Sequence, residues 1–475
     1  MQTTIFWHDY ETTGIDPALD RPVQFAGQRT DLDMNPIGDP INIHAKLTDD
    51  IVPSVEAFIV TGILPSTLMA TGLNETAFAD RVLRELGAAG TIGAGYNSLR
   101  FDDEFTRYLF YRNFLDPYAR EWQRGNSRWD VIDLCRMACA LRPEGIVWPY
   151  QDNVPSFRLE ALTEANNIAH EGAHDAMADV RATIAVAKLL QTKQTRLFEF
   201  LFQHRDKKRV LDQLYPLGKQ PIVHVSSMYP ASRHCLAVVL PLCQHPTNNN
   251  GIICIDLSVN PDELIRLSTD GVRERLFTRA AEMPEDQQRM PIKVIHINRC
   301  PAVAPLATIR PQEQQRLGLS FTEIEQHQQR LQRSSGLVEK LQEVFATSMF
   351  QEADDPDQML YGGGFFSQSD KDEMSSLRQM SATELAGLKP EFQDPRLPEM
   401  FFRYRARNYP DSLTVDEQAR WLQFCMQQWT AEDRLESNLA SMMQHREQNN
   451  SNLTVLDEIE KLLLEKKQKL AAAAD

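Results

Sequence analysis

The sequence predicts a multidomain α/β protein: an α/β domain first, a β-rich domain second and an all-helical domain last. Three observations carry this. Strand-like runs come early and then alternate with helical periodicity; further apolar runs broken by turn residues crowd the middle of the chain; and from residue 351 onward amphipathic helical patterns prevail. A chain of 475 residues also exceeds what one hydrophobic core usually serves. The expected division is 1–194, 195–350 and 351–475.

In the first domain, Ile5 to Tyr10, Val23 to Thr30 and Ile41 to Leu47 read as strands separated by turns rich in Pro, Gly and Asp, the start of a meander. The segment NETAFADRVLREL opens on an Asn cap and continues with helical spacing. A short strand follows at Thr91 to Gly95, and the Ala-rich DAMADVRATIAVAKLL reads as a long helix. In the second domain PIVHVSSMY, CLAVVLPLC, GIICIDLS and IKVIHINRC are strand-like. In the third, PEMFFRYRARNY, VDEQARWLQFCMQQW and LTVLDEIEKLLLEKKQKL place apolar residues on one helical face.

Composition bounds the function classes. With 42% hydrophobic and 24% charged residues, the chain is globular, not disordered. The start MQTTIFWHDYE lacks the basic and apolar regions of a signal peptide, and no apolar run reaches the ~18 residues of a membrane span. A cytoplasmic protein is expected. The seven cysteines are scattered without a Cys-x-x-Cys pair, which argues against a zinc site and a disulfide framework. The net charge of −16 opposes nucleic-acid binding unless positive charge is locally concentrated. It is: residues 100–142 hold eight arginines and no lysine, interleaved with aromatics. Cations that track phosphates and rings that stack on bases are what a single-strand channel uses. The plainer alternative is that rings enter the core and arginines pair with Asp116, Glu121, Asp130 or Asp133.

The chemistry rests on carboxylates. Asp9 and Glu11 lie two apart on the first strand, so both point to one face. Two carboxylates aimed at one spot repel unless a cation sits between them, and hard oxygen ligands suit Mg²⁺ or Mn²⁺. Asp102 falls in the first turn of a helix and can face back toward the sheet. His174 and Asp179 are five positions apart, roughly 500° around a helix, and do not share a face. That spacing suits Asp179 on the helix and His174 on the preceding loop, where a general base could swing in. Each residue alone has an ordinary structural reading; the ordered set carries the inference.

That ordered set, with YNSLRFD ending at Asp102 and His174-x4-Asp179, resembles the DEDDh exonucleases, which have an RNase H-like fold and cleave nucleic acids from the 3′ end. Asp175 stands where the related subgroup carries tyrosine, so the histidine form fits. TGI at Thr61 to Ile63 matches a family segment near the 3′-terminal nucleotide. Further stretches, among them HDYETTG, GYNSLRFDDEFTRYLFYRNFLDPYA, PSFRLEALTEAN and AHDAMADV, resemble the bacterial exonuclease I family. The likeness implies an RNase H-like exonuclease domain, an SH3-like barrel and a helical C-terminal domain. It implies processive 3′-to-5′ degradation of single-stranded DNA in repair and recombination, with the strand enclosed by the three domains. LYGGGFF carries one glycine more than the family form.

The resemblance also implies roles. Two Mg²⁺ ions, or Mn²⁺ in their place, would be held by Asp9, Glu11, Asp102 and Asp179, with His174 as general base and Glu11 also near the substrate. DNA contacts would come from Arg107, Tyr118, Trp122, Arg136, Arg142, Phe157 and Arg158, extended by Lys293, Asn298, Tyr361 and Phe365. Arg158 would reach nearest the active site. Arg310 matches a basic position that would pair with the acidic C-terminal tail of single-stranded DNA-binding protein. A monomer with no membrane partner is expected. The rival readings are an RNA-trimming DEDDh exoribonuclease and a non-catalytic single-strand-binding protein.

Overall fold

The computed structural model describes residues 2–172, 174–279, 282–284, 287–347, 353–448 and 452–474. The division expected at 350/351 lies outside these residues. The chain forms two compact units: Met1–Ser127 with His170–Arg181 and Gln351–Asp475, and Arg128–Ala169 with Ala182–Phe350. Compactness therefore does not follow the linear order of the chain.

In the first unit, β1 (Thr4–Thr12) is the strand on which the sheet is built. It pairs antiparallel with β2 (Pro22–Thr30), placing Asp9 opposite Ala26 and Glu11 opposite Gln24. β3 (Ile41–His44) continues the meander, and β4 (Thr91–Gly95) joins the other edge of β1 in parallel. Having neighbours on both edges, β1 reads as a continuous apolar run, and Ile5, Phe6 and Trp7 are all buried. Gly27 on β2 is required for packing, because a Cβ there would meet the Phe6 ring and the Trp7 carbonyl oxygen.

Helices α1 (Val55–Thr61), α2 (Pro65–Thr71), α3 (Glu75–Leu86) and α4 (Asp102–Arg112) complete this part of the unit. Asn74 caps α3 as its sequence predicts, its Oδ1 accepting from the Ala77 N–H at 3.0 Å. Val55 and Phe58 of α1 pack with Leu435, Leu439 and Met442 and with Val455, Leu456 and Ile459 of two C-terminal helices, Arg434–Glu447 and Leu453–Ala474. Tyr108, Tyr111 and Phe114 pack with Leu397, Met400, Phe401 and Tyr404 of the helix Leu397–Asn408.

That last helix also buries charge. Arg407 binds Asp50 at 3.0 Å and Asp357 at 2.5 Å, while Arg21 binds Asp50 at 3.2 Å and Arg112 binds Glu75 at 3.2 Å. The Arg407 guanidinium is shared between Asp50 and Asp357, far apart in sequence, and so ties its helix to the segment before α1.

The second unit begins within β5 (Ser127–Asp130) and contains a short hairpin, β6 (Tyr150–Gln151) with β7 (Val154–Pro155). Its main sheet has the order β11-β10-β9-β8-β12, made of β8 (Ile222–Val225), β9 (Leu236–Gln244), β10 (Gly251–Asp256), β11 (Ile292–His296) and β12 (Ala302–Pro305). Ile222, Ala237, Val239, Ile252, Ile295 and Val303 form its core. Among the described residues no helix is long and apolar enough to cross a membrane.

Candidate active site

The site lies in the first unit, at the C-terminal end of β1. Strand alternation sends Asp9 and Glu11 to one side, and pairing shifts register between Glu11 and Thr12, just beyond them. Asp179 joins from the first turn of the helix Ala176–Lys193, its N–H bonded to the Asp175 carbonyl at 3.0 Å. Ligand oxygens of Asp9, Glu11 and Asp179 lie within 4.8 Å of one another. Asp102 is the first residue of α4 and is buried; its Oδ1 accepts from the Tyr10 N–H at 3.1 Å, which fixes it against the same strand between the two acids.

The electrostatics mark a site short of positive charge. Burial, then the neighbouring Asp102, Glu11 and Asp179, holds the Asp9 carboxyl well above its ordinary range. Burial and the charges of Asp179 and Asp102 push Glu11 up to about 9. A cation among these oxygens converts the repulsion into attraction, and an all-oxygen donor set fits Mg²⁺ or Mn²⁺. The neighbouring acids have other work. Asp103 is buried in an ion pair with Arg120, and Asp175 accepts from Gln24 Nε2 at 3.1 Å and from the Ala178 N–H at 3.2 Å.

His174 sits on the turn before the Asp179 helix, exposed and with φ of 68°. Its backbone bonds the Asp179 carboxylate, but the imidazole set against that carboxylate is a different one: His170 Nε2 lies 2.6 Å from Asp179 Oδ1, with its side chain only 5% exposed. Sequence reasoning missed it. The available signal was the pair of histidines four apart in HEGAHD, of which the spacing argument used only the second.

The aromatic residues expected to meet DNA are well presented in the first unit. Trp122 is 67% exposed, Phe365 85% and Tyr361 55%, and Tyr118 meets Phe365 edge-on at 6.1 Å. Tyr118, Trp122 and Phe365 line a cavity of about 710 Å³ together with Phe114 and Arg378. Arg107 is engaged within the protein. It is buried, its Nε and NH2 bond Glu121 at 2.7 and 3.0 Å, and its NH1 bonds Glu104 at 2.7 Å and the Tyr361 hydroxyl at 3.0 Å. With the Tyr118 ring 5.4 Å away, it braces the aromatic surface.

In the second unit Arg136 is likewise buried, bonds Asp133 at 2.6 Å and lies 5.8 Å over the Phe157 ring. Arg142 donates to the Thr308 carbonyl at 3.0 Å. Arg158 is exposed at the start of the helix Leu159–Ala165. Lys293 is half-buried on β11, and Asn298 is exposed just beyond it, its carbonyl accepting from Arg128 at 3.0 Å. Arg310 is partly exposed but already engaged, with Glu144 at 2.9 Å and Glu313 through its Nε at 2.8 Å.

Against this geometry stand the comparisons with known proteins. Three family models match in succession: Exonuclease over residues 6–187, the Exonuclease I SH3-like domain over 205–347 and the Exonuclease I C-terminal domain over 354–466. The chain is 45% identical over 433 residues to exodeoxyribonuclease I of Escherichia coli K12, covering 91% of each. It superposes with a TM-score of 0.93 on E. coli exonuclease I in complex with a dA16 oligonucleotide, at 42% identity, over 98% of this chain and 100% of that one. The zinc-bound form of the E. coli exonuclease I–ssDNA complex matches with the same TM-score, identity and coverage. Three domain matches in order and identity along nearly the whole length make this chain a member of the exonuclease I family.

Proposed function

We propose that this protein is a divalent-metal-dependent exonuclease that degrades single-stranded DNA processively from the 3′ end, in repair and recombination. The observation that carries the reading is the convergence of Asp9, Glu11 and Asp179 within 4.8 Å, with Asp102 clamped to the strand between the first two. The metal proposed is Mg²⁺, with Mn²⁺ able to replace it. Asp9, Glu11, Asp102 and Asp179 would hold two such ions, which when bound would supply water activation and charge stabilisation for the departing 3′-oxygen.

The chain's own residues do the rest. Asp9, Glu11 and Asp179 present oxygens to the metals, and Asp102 completes the set from α4. His174 takes the proton of the attacking water on a ring nitrogen, a task suited to an imidazole and to a residue on an exposed turn. The product is a 5′-mononucleotide. Trp122, Tyr118, Tyr361 and Phe365 receive bases by stacking, which reads no sequence. Phe157, Arg142, Arg158, Lys293 and Asn298 contribute from the second unit. Arg107 and Arg136 act through the rings they support. Arg310 receives the terminal carboxylate of the single-stranded DNA-binding protein tail by exchanging Glu144 for it. The divisions 1–194, 195–350 and 351–475 remain the domain assignment, and the protein works as a cytoplasmic monomer.

The test is digestion of a 5′-labelled single-stranded DNA with Mg²⁺, beside an EDTA control and Asp9→Ala. The expected result is a ladder shortening from the 3′ end, absent in both controls. DNA that stays intact yet bound to the wild-type protein would assign a binding function instead.

A further inference from the structure

The contact between His170 and Asp179 has no part in the reaction as described above. It is a short hydrogen bond, 2.6 Å, from a ring nitrogen that is almost wholly shielded to one oxygen of a proposed metal ligand. An ionised carboxylate has no proton to give, so the ring donates through Nε2–H and the carboxylate accepts through Oδ1. A carboxylate has two oxygens and a free torsion. Fixing one oxygen by a hydrogen bond orients the other, and partners of this kind commonly set ligand orientation in metal sites.

The local chain supports this placement. Asp179 belongs to the first turn of its helix, where its backbone is held by Asp175. His170 precedes a turn in which Gly172 has φ of 80° and His174 has φ of 68°. That turn folds the chain back on itself, bringing a residue nine positions earlier onto the Asp179 side chain. Of the two histidines in HEGAHD, one sets a shielded ring on the ligand, while the other bonds it only through its backbone and leaves its side chain exposed.

We infer that His170 is a positioning residue that orients Asp179 for metal binding, separate from the proton-accepting role of His174. The inference rests on the metal-site reading given above.

The test uses the full chain and Mn²⁺ as the probe. Mn²⁺ binding to DNA-free wild type, His170→Ala and His170→Gln is measured by titration calorimetry. Single-turnover cleavage across pH and single-strand binding in EDTA are measured in parallel. Glutamine can place an amide N–H near the position of Nε2. Loss of the hydrogen bond is expected to weaken Mn²⁺ binding about 10–100-fold in His170→Ala. His170→Gln should recover most of it, with DNA affinity in EDTA and the melting temperature unchanged in both. Wild-type Mn²⁺ affinity in His170→Ala would overturn the inference while leaving the exonuclease reading intact. Equal failure of both variants in cleavage, with the acidic limb of the pH–rate profile lost and Mn²⁺ binding normal, would overturn it by making His170 the general base. Failure of the wild type itself to bind Mn²⁺ and to cleave would be a failure of the functional reading, and is distinguishable from either.

Discussion

At the scale of single residues, the site depends on groups whose ordinary preferences are overridden by their neighbours. Glu11, pushed up to about 9 by burial and by Asp179 and Asp102, is poorly suited to remain ionised without a cation. His174 differs in kind, because its side chain is exposed on a turn and its bond to Asp179 comes from its backbone, which a substitution keeps. Its loss should therefore remove proton transfer without emptying the metal site. His174→Ala is expected to lower single-turnover cleavage by about 10²–10⁴-fold, the usual range for a general base. Single-strand affinity in EDTA should stay at the wild-type value. A cleavage rate near wild type would take His174 out of this role. Asp9 and Glu11 were legible in the sequence because strand alternation has a period of two, and Asp102 because a helix start follows a strand end. His170 was not, since its contact runs through a turn with left-handed residues that no periodicity encodes.

At the scale of elements, residues 100–142 show how one composition divides into two roles. Their arginines and aromatics were read together as a channel lining. The rings at Trp122 and Tyr118 lie at the cavity surface, but Arg107, Arg112, Arg120, Arg128 and Arg136 are buried. Asp133 and Glu104 are local partners one helical turn away, and Asp133 and Glu121 were among the acids named as alternatives, but Glu75, Asp103 and Glu121 come from other elements. Sequence spacing cannot tell a paired guanidinium from a free one when the pairing acid is brought in by the fold. The consequence is measurable. Trp122→Ala should weaken single-strand binding by about 1–3 kcal/mol, the contribution of one stacked base, and by a similar amount for dA and dT oligonucleotides. The salt dependence should keep its slope, because no phosphate contact is removed. A change in slope with unchanged affinity at low salt would mean that the ring acts by placing a cation.

At the scale of the whole molecule, the order of domains was legible in the shift from alternating to β-rich to helical texture, whereas the association of the C-terminal helices with the first sheet was not. That association is carried by contacts such as Arg407 with Asp50, 357 positions apart, which leave no local pattern. The buried network makes it testable through acid unfolding. Although burial raises the Asp50 carboxyl, the Arg407 and Arg21 guanidinium groups beside it outweigh this and bring it down to about 2. A carboxylate depressed in the folded state contributes stability that is present above its unfolded pKa and lost as pH falls through the folded one. For Asp50 the contribution, roughly 2 kcal/mol, is complete above about pH 4 and disappears toward pH 2. Asp357, held down by Arg407 and Arg403, adds in the same direction. Removing one partner leaves an uncompensated buried charge, so Arg407→Met should cost about 3–5 kcal/mol at neutral pH. Asp50→Asn should likewise be less stable than wild type at pH 7, but its stability should fall less steeply between pH 4 and 2. Denaturant unfolding monitored at fixed pH steps reads both effects. Parallel curves for wild type and Asp50→Asn across that window would show that Asp50 does not carry the acid sensitivity, and that the C-terminal helices are held by their apolar contacts with Val55, Phe58, Tyr108 and Phe114 instead.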